Sequence, residues 1–276
     1  MKYKIVADSS VDVLNLTQVP FSIAPLKIIT DNKEYTDNDD LNVKQMTDEL
    51  SSYKGRSSTS CPSVNDWLDA FGESEYVFCI TITSGLSGSY NSACVAKDEY
   101  EKMNPERKVF VIDSLSAGPE LKLIAEKIEE MILKGLEFSQ ICEQIKEYQN
   151  KTNLLFCLES LTNLANNGRV SSTVAKIAGI LGIRLIGKAS AVGQLEPLNK
   201  SRGENKALAS IINIMKDMGY NGGKVRIAHC FNAPFVNMIV SALKQELNAK
   251  EIEVYSTKGL CSFYAEKGGV LIGFEN

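Results

Sequence analysis

Histidine is nearly missing from this sequence: there is one, His229, in 276 residues. A Ser-His-Asp hydrolase would have to be built on it, and a metal site of several histidines is excluded. The seven cysteines contain no C-x-x-C pair, so zinc and redox-pair sites lack their spacing. Most lie inside apolar segments such as Phe78-Cys79-Ile80 and Phe156-Cys157-Leu158, where reduced, buried thiols are expected. A basic surplus is also lacking. Lys plus Arg is 30 against 34 for Asp plus Glu, a net charge of −4, which argues against a nucleic-acid binder. No apolar stretch approaches the roughly 20 residues that span a bilayer. The apolar run near the start, Ile5-Val6-Ala7, falls well short of the roughly 7–15 residues of a signal core, so a cytoplasmic protein is expected. No Gly-Lys-Ser/Thr loop is present to cradle a nucleotide.

What remains is an ordinary globular composition, 44% hydrophobic and 23% charged, in a length that suits about two domains. Short apolar runs of strand type recur at Tyr3–Ala7, Ser22–Ile29, Tyr76–Ile82, Val109–Ile112, Leu154–Leu158, Arg184–Val192, Val225–Cys230, Glu251–Tyr255 and Gly269–Phe274. Apolar stripes of helical period alternate with them, around Leu121–Ile132, Phe138–Tyr148, Ala207–Met218 and Phe235–Leu247. Pro119 suits a first helical turn, and Asn232 with Pro234 reads as a cap and first turn. The alternation predicts an α/β protein. Its N-terminal domain, 1–150, carries a mostly parallel sheet flanked by helices. Its C-terminal domain, 151–276, carries a mixed sheet with helices. The boundary falls in the polar stretch Tyr148–Asn153.

In an open parallel sheet, ligands bind beyond the carboxyl ends of the strands. Three predicted strands end in hydroxyl-rich loops: Asp8-Ser9-Ser10, Thr83-Ser84-Gly85-Leu86-Ser87-Gly88-Ser89 and Asp113-Ser114-Leu115-Ser116. Such residues also fill ordinary turns, but three loops on one edge point to a small-ligand site. Gly85 and Gly88 let the backbone approach a ligand, and a helix starting near Ser87 would favour an anion. The spacing is not that of a nucleophile elbow, because the second glycine comes one place early. A second hydroxyl run, Ser57-Ser58-Thr59-Ser60-Cys61-Pro62-Ser63, precedes a capping box of Ser63 with Asp66. It reads either as a linker with a helix cap or as the second half of the same anion site. The absence of Lys and Arg from both loops favours a singly charged, mostly buried head group. His229 reads as a strand-end histidine. The basic residues Lys188, Lys200 and Arg202 read as solvated surface or as a face for an acidic partner.

Asp8-Ser9-Ser10, Thr59-Ser60-Cys61-Pro62-Ser63, Ser84-Gly85-Leu86-Ser87-Gly88-Ser89-Tyr90, Asp113-Ser114, Asn167-Gly168-Arg169-Val170 and Lys200-Ser201-Arg202 occur in this order along the chain. Together they resemble the bacterial DegV family of fatty-acid-binding proteins over essentially the whole sequence. The resemblance implies two α/β domains with one long-chain fatty acid between them and no cofactor or metal. The acyl chain would lie in an apolar tunnel. The carboxylate would be held by loops mapping to Thr59, Ser60, Thr83, Ser84, Gly85 and Ser87. Arg169 and Arg202 would lie near the head group or at the interface with a fatty-acid kinase, to which some members present the acid. A lipid carrier rather than an enzyme is implied; a serine-dependent esterase or a binder of another small anion is the alternative. Three departures stand out. Cys61 replaces the usual glutamine, Arg184 is followed by Leu185 rather than proline, and Gly259–Gly269 has no histidine where the family commonly carries one. Glu266 and Lys267 stand there instead. That loss is expected to weaken kinase partnership more than acyl binding.

Overall fold

The structure, a computed structural model, describes residues 2–13, 16, 18–171, 174 and 182–276. The first half is built on four parallel strands. These are β1 (Tyr3–Asp8), β2 (Phe21–Ala24), β6 (Tyr76–Thr81) and β7 (Lys108–Asp113), in the order β2-β1-β6-β7. The chain turns from β1 to β2 on one side and returns as β6 on the other. The carboxyl ends of β1 and β6 therefore flank a switch point, where such sheets leave a crevice. Period-2 alternation sends neighbouring residues to opposite helical layers. Ile5, Ala7, Phe78 and Ile80 pack on α4 (Pro119–Leu133) and α5 (Phe138–Gln149). Val6, Val77 and Cys79 pack against Trp67, Phe71 and Ala93 of α2 (Val64–Phe71) and α3 (Ser89–Met103).

Between β2 and β6 lies a small antiparallel sheet, β3 (Lys27–Thr30), β4 (Glu34–Thr36) and β5 (Ser57–Ser60), in the order β4-β3-β5, with α1 (Val43–Ser52) beside it. The sequence reading expected one strand over Ser22–Ile29. Pro25 divides it, because proline brings no N–H to a ladder, and the two pieces join different sheets. The hydroxyl run containing Thr59 and Ser60 is likewise a strand, not a linker.

The second half holds a six-stranded mixed sheet. Its strands are β8 (Thr152–Leu158), β9 (Ile183–Ala189), β10 (Leu195–Arg202), β11 (Val225–His229), β12 (Ile252–Ser256) and β13 (Val270–Glu275), in the order β10-β9-β8-β13-β11-β12. The short α6 (Thr162–Asn166) follows β8. On one face Leu155, Cys157, Val270, Ile272 and Phe274 pack on α7 (Glu204–Asp217) and α8 (Ala233–Leu247). On the other face Leu154, Phe156, Leu158 and Leu271 turn toward the first half and toward α9 (Gly259–Ala265). The basic stretch read as solvated surface or docking face is thus largely the β9–β10 hairpin, whose outer strand is exposed from Pro197 to Lys200.

Candidate functional site

An apolar cavity of about 90 Å³, measured to the centre of a water-sized sphere, lies between the first half and the mixed sheet of the second. That is room for several such spheres. The second half supplies the stripe Leu154, Phe156 and Leu158 of β8, each two residues from the next and so on one face of the strand. At about 3.3 Å per residue this stripe alone is roughly 13 Å long. Leu271, Cys261 and Ala265 complete that wall, and Leu26, Ile82, Leu86 and Ala117 of the first half oppose it.

Among the described residues, the polar groups in the wall are few and uncharged except for one. Thr59, Ser87, Arg169 and Tyr264 all line the cavity. The hydroxyls of Thr59 and Tyr264 lie 2.7 Å apart and share a hydrogen bond. The Ser87 hydroxyl oxygen accepts from the Ser89 N–H at 3.2 Å, which leaves its own proton to donate elsewhere. Arg169 donates from Nε to the Leu86 carbonyl at 3.1 Å and from Nη1 to the Asn167 carbonyl. Burial pushes the Tyr264 phenol above its ordinary value, against the pull of Thr59 and Arg169, and either hydroxyl of the Thr59 pair can be the donor.

The remaining sequence candidates surround this cavity rather than line it. Thr83 is buried; its hydroxyl donates to the Gly193 carbonyl at 2.9 Å and accepts from the Gly85 N–H. Ser84 and Gly85 are exposed, and the Ser84 N–H donates to Asp113. Ser60 pairs with Lys27 at the end of β5. Asp8, Ser9 and Ser10 are internal braces. The Asp8 carboxylate accepts from the Ile82 N–H at 2.8 Å and the Ser89 hydroxyl at 2.6 Å, while Ser9 accepts from the Leu26 N–H. Asp8 is fully buried, and that burial raises its carboxyl even though Ser10 and Ser89 oppose the shift. These bonds fix the loop that carries Leu86 and Ser87.

The helix expected near Ser87 begins at Ser89, with Gly88 as its cap. The expected capping box of Ser63 and Asp66 is formed, and Pro119 opens α4. Arg184 is held by Glu159 at 2.6 Å and Glu204 at 3.2 Å. Arg202 is exposed at the end of β10. His229 ends β11 and accepts from the Asn232 N–H at its Nδ1, away from the cavity wall. Glu266 accepts from the Asn163 N–H and lines a separate groove with Lys267. No cluster of three or more metal-ligating side chains occurs among the described residues.

Tyr264 is the residue that sequence reasoning missed. It is 205 positions from Thr59 in the chain, and only the fold joins them. Its sole local signal is its place on a short helix with Leu260, Cys261 and Ala265, all of which line the cavity.

A family model described as "Uncharacterised protein, DegV family" matches residues 2–275. The chain belongs to the DegV family. A DegV domain-containing protein of Streptococcus pyogenes serotype M18 is 41% identical over 279 residues, covering all of both chains. Among solved structures, a DegV family protein from Eubacterium eligens loaded with heptadecanoic acid superposes with a TM-score of 0.98 at 44% identity, over 99% of each chain. The Streptococcus pneumoniae Fatty Acid Kinase (Fak) B3 protein loaded with linoleic acid gives 0.97 at 39% identity, over 100% of this chain and 99% of that one. These DegV relatives bear out the two-domain α/β architecture expected from the sequence.

Proposed function

We propose that the protein is a non-catalytic carrier that binds one long-chain fatty acid between its two halves and presents it to a fatty-acid kinase. The observation that carries this reading is an apolar cavity whose few polar groups, among the described residues, are hydroxyls and one guanidinium. It is supported by two DegV structures, 44% and 39% identical, described as loaded with heptadecanoic and linoleic acid. Thr59 and Ser87 are the carboxylate donors on the first half. Ser60, Thr83, Ser84 and Gly85 belong to the segments that hold those donors in place. Arg169 and the exposed Arg202 mark the face offered to the kinase. Such a carrier works in the cytoplasm, and no described helix is long and apolar enough to cross a membrane.

Burying about 14 methylenes at about 0.8 kcal/mol each would contribute on the order of 11 kcal/mol gross. Association and ordering remove several kcal/mol of it. A bare carboxylate in that wall would be costly, and hydroxyl donors beside an arginine offset the cost. Among the described residues that line the cavity, no carboxylate or imidazole could take a proton from Thr59 or Ser87, which favours a carrier over an esterase.

The test is a fatty-acid titration of delipidated protein carrying Thr59→Ala with Ser87→Ala. Each hydrogen bond to a charged acceptor is worth about 1.5–3 kcal/mol, so the double variant should bind at least tenfold more weakly while melting as a folded protein. Unchanged affinity would place the carboxylate elsewhere.

A further inference from the structure

We propose that Tyr264 recognises the head group of the ligand, and that its phenol makes the cavity select a chain ending in a free acid over one ending in an alcohol. The proposal rests on the reading of the cavity as an acyl site, and it assigns discrimination to a residue of the second half.

Three observations carry it. First, Tyr264 is part of the cavity wall, and its hydroxyl lies at the polar end, 2.7 Å from Thr59 Oγ1. Two hydroxyls sharing one bond use only one of their two protons. Whichever donates within the pair, the other keeps a proton for the ligand. A chain of hydroxyls also polarises itself, so the outer donor is stronger than an isolated one.

Second, Arg169, the one cationic side chain in that wall among the described residues, has two of its donors occupied by the Leu86 and Asn167 carbonyls. Its Nη2 group has no protein acceptor among the described residues. The polar end therefore offers donors: Tyr264 or Thr59, Ser87 and an arginine N–H. A carboxylate presents only acceptors and matches that set. An alcohol can bond to the same hydroxyls, but only as a neutral partner. Donors meeting a charged acceptor bond about twice as strongly as neutral pairs.

Third, Tyr264 is held firmly where it is. Asp37 of the first half accepts from the first N–H groups of α9, Gly259 at 2.7 Å and Leu260 at 2.8 Å, and Asp12 accepts from Lys258 at 2.7 Å. The Tyr264 ring also packs edge-on against Phe263, with centroids 4.9 Å apart. A donor held this way loses little freedom when it meets its acceptor.

The experiment compares Tyr264→Phe with the unaltered protein. It uses palmitic acid and hexadecanol as probes, at neutral pH, after delipidation. Phenylalanine keeps the ring and its contact with Phe263 and removes only the hydroxyl. The expected result is a loss of tenfold or more in affinity for the acid, with affinity for the alcohol changed by less than about threefold and the melting temperature preserved. Thr59→Val, which removes the other half of the pair, should shift the acid-to-alcohol ratio in the same direction. Equal losses for both probes would reduce Tyr264 to a packing residue and overturn the proposal, as would an unchanged acid affinity. If the unaltered protein binds neither probe, the reading of the cavity fails as well. If it binds the acid tightly and Tyr264→Phe does too, only the role of Tyr264 fails.

Discussion

Asp12 and Asp37 show how single side chains set the site from outside it. Both are almost fully buried, and both accept backbone N–H groups at the start of α9. Burial, the dominant cause, pushes Asp12 up to about 8 and Asp37 up to about 6 from an ordinary value of 3.8. A folded-state value above the unfolded one means that the native chain holds protons that the unfolded chain has released. Their contribution to stability is therefore fully present below about pH 4 and is lost as pH rises through about 6 and then about 8. Urea unfolding at pH 5 and pH 8 should show Asp12→Asn losing less stability over that interval than the unaltered protein; an identical loss would contradict the assignment. Asparagine still offers Lys258 an acceptor, so the comparison isolates the charge. None of this was legible in the sequence, where nothing local marks Asp12 or Asp37 as a partner of a helix more than 200 residues away. The hydroxyls were easier to read. Thr59 and Ser87 stood out because hydroxyls clustered beside apolar runs. Ser84 and Thr83 looked equivalent to Ser87, since spacing alone does not say which neighbour in a turn faces inward.

At the scale of elements, the loop after β6 is gripped from the second half at two points. Arg169 donates to the Leu86 carbonyl, and Thr83 donates to Gly193 at the tip of the β9–β10 hairpin. Gly193 has φ +69, and a Cβ there would lie 1.9 Å from Thr83 Oγ1. Gly193→Ala should therefore push the tip off the loop. We expect a loss on the order of 1–2 kcal/mol in stability, read from the urea midpoint, together with faster release of bound fatty acid. An alanine variant as stable as the parent would mean that the tip can move without consequence. The hairpin was half hidden in the sequence. β9 is apolar enough to be read as a strand, whereas its partner runs Pro197-Leu198-Asn199-Lys200 on an exposed edge, and the register shifts between Pro197 and Asn199. Proline and lysine are what edge strands use to avoid pairing with other chains, so the residues that make β10 a safe edge also disguise it. Pro25 had the opposite effect: it divides what read as one strand into β2 and β3, and so creates the small sheet that carries Thr59.

Taken whole, the molecule is two halves joined on one side by ion pairs, with the apolar cavity between them on the other. The joined side is ionic. On α4, Glu126 meets Arg226 of β11 at 2.8 Å, and Lys122 meets Glu253 of β12 at 2.5 Å. Arg226 also reaches Glu251 at 2.6 Å, with only 6% of its side chain exposed. Breaking a pair buried that deeply leaves an uncompensated charge, so this side resists opening. Around the cavity the facing walls are mainly apolar: Leu26, Ile82 and Leu86 of the first half line it opposite the β8 stripe, and Leu26 and Ile82 pack on Leu260 of α9. The α/β class and the parallel first sheet followed from apolar runs alternating with helical stripes, because burial on both faces leaves that imprint. The cavity did not follow, because it is made of residues far apart in sequence whose side chains look like ordinary core. The central claim, one fatty acid per chain, is tested most directly by denaturing solvent extraction of freshly purified protein followed by mass spectrometry. The account predicts close to one equivalent of long-chain fatty acid released per chain, and much less from the Thr59→Ala, Ser87→Ala double variant. Extracts of freshly purified protein empty of fatty acid, together with no uptake by the delipidated protein, would contradict it.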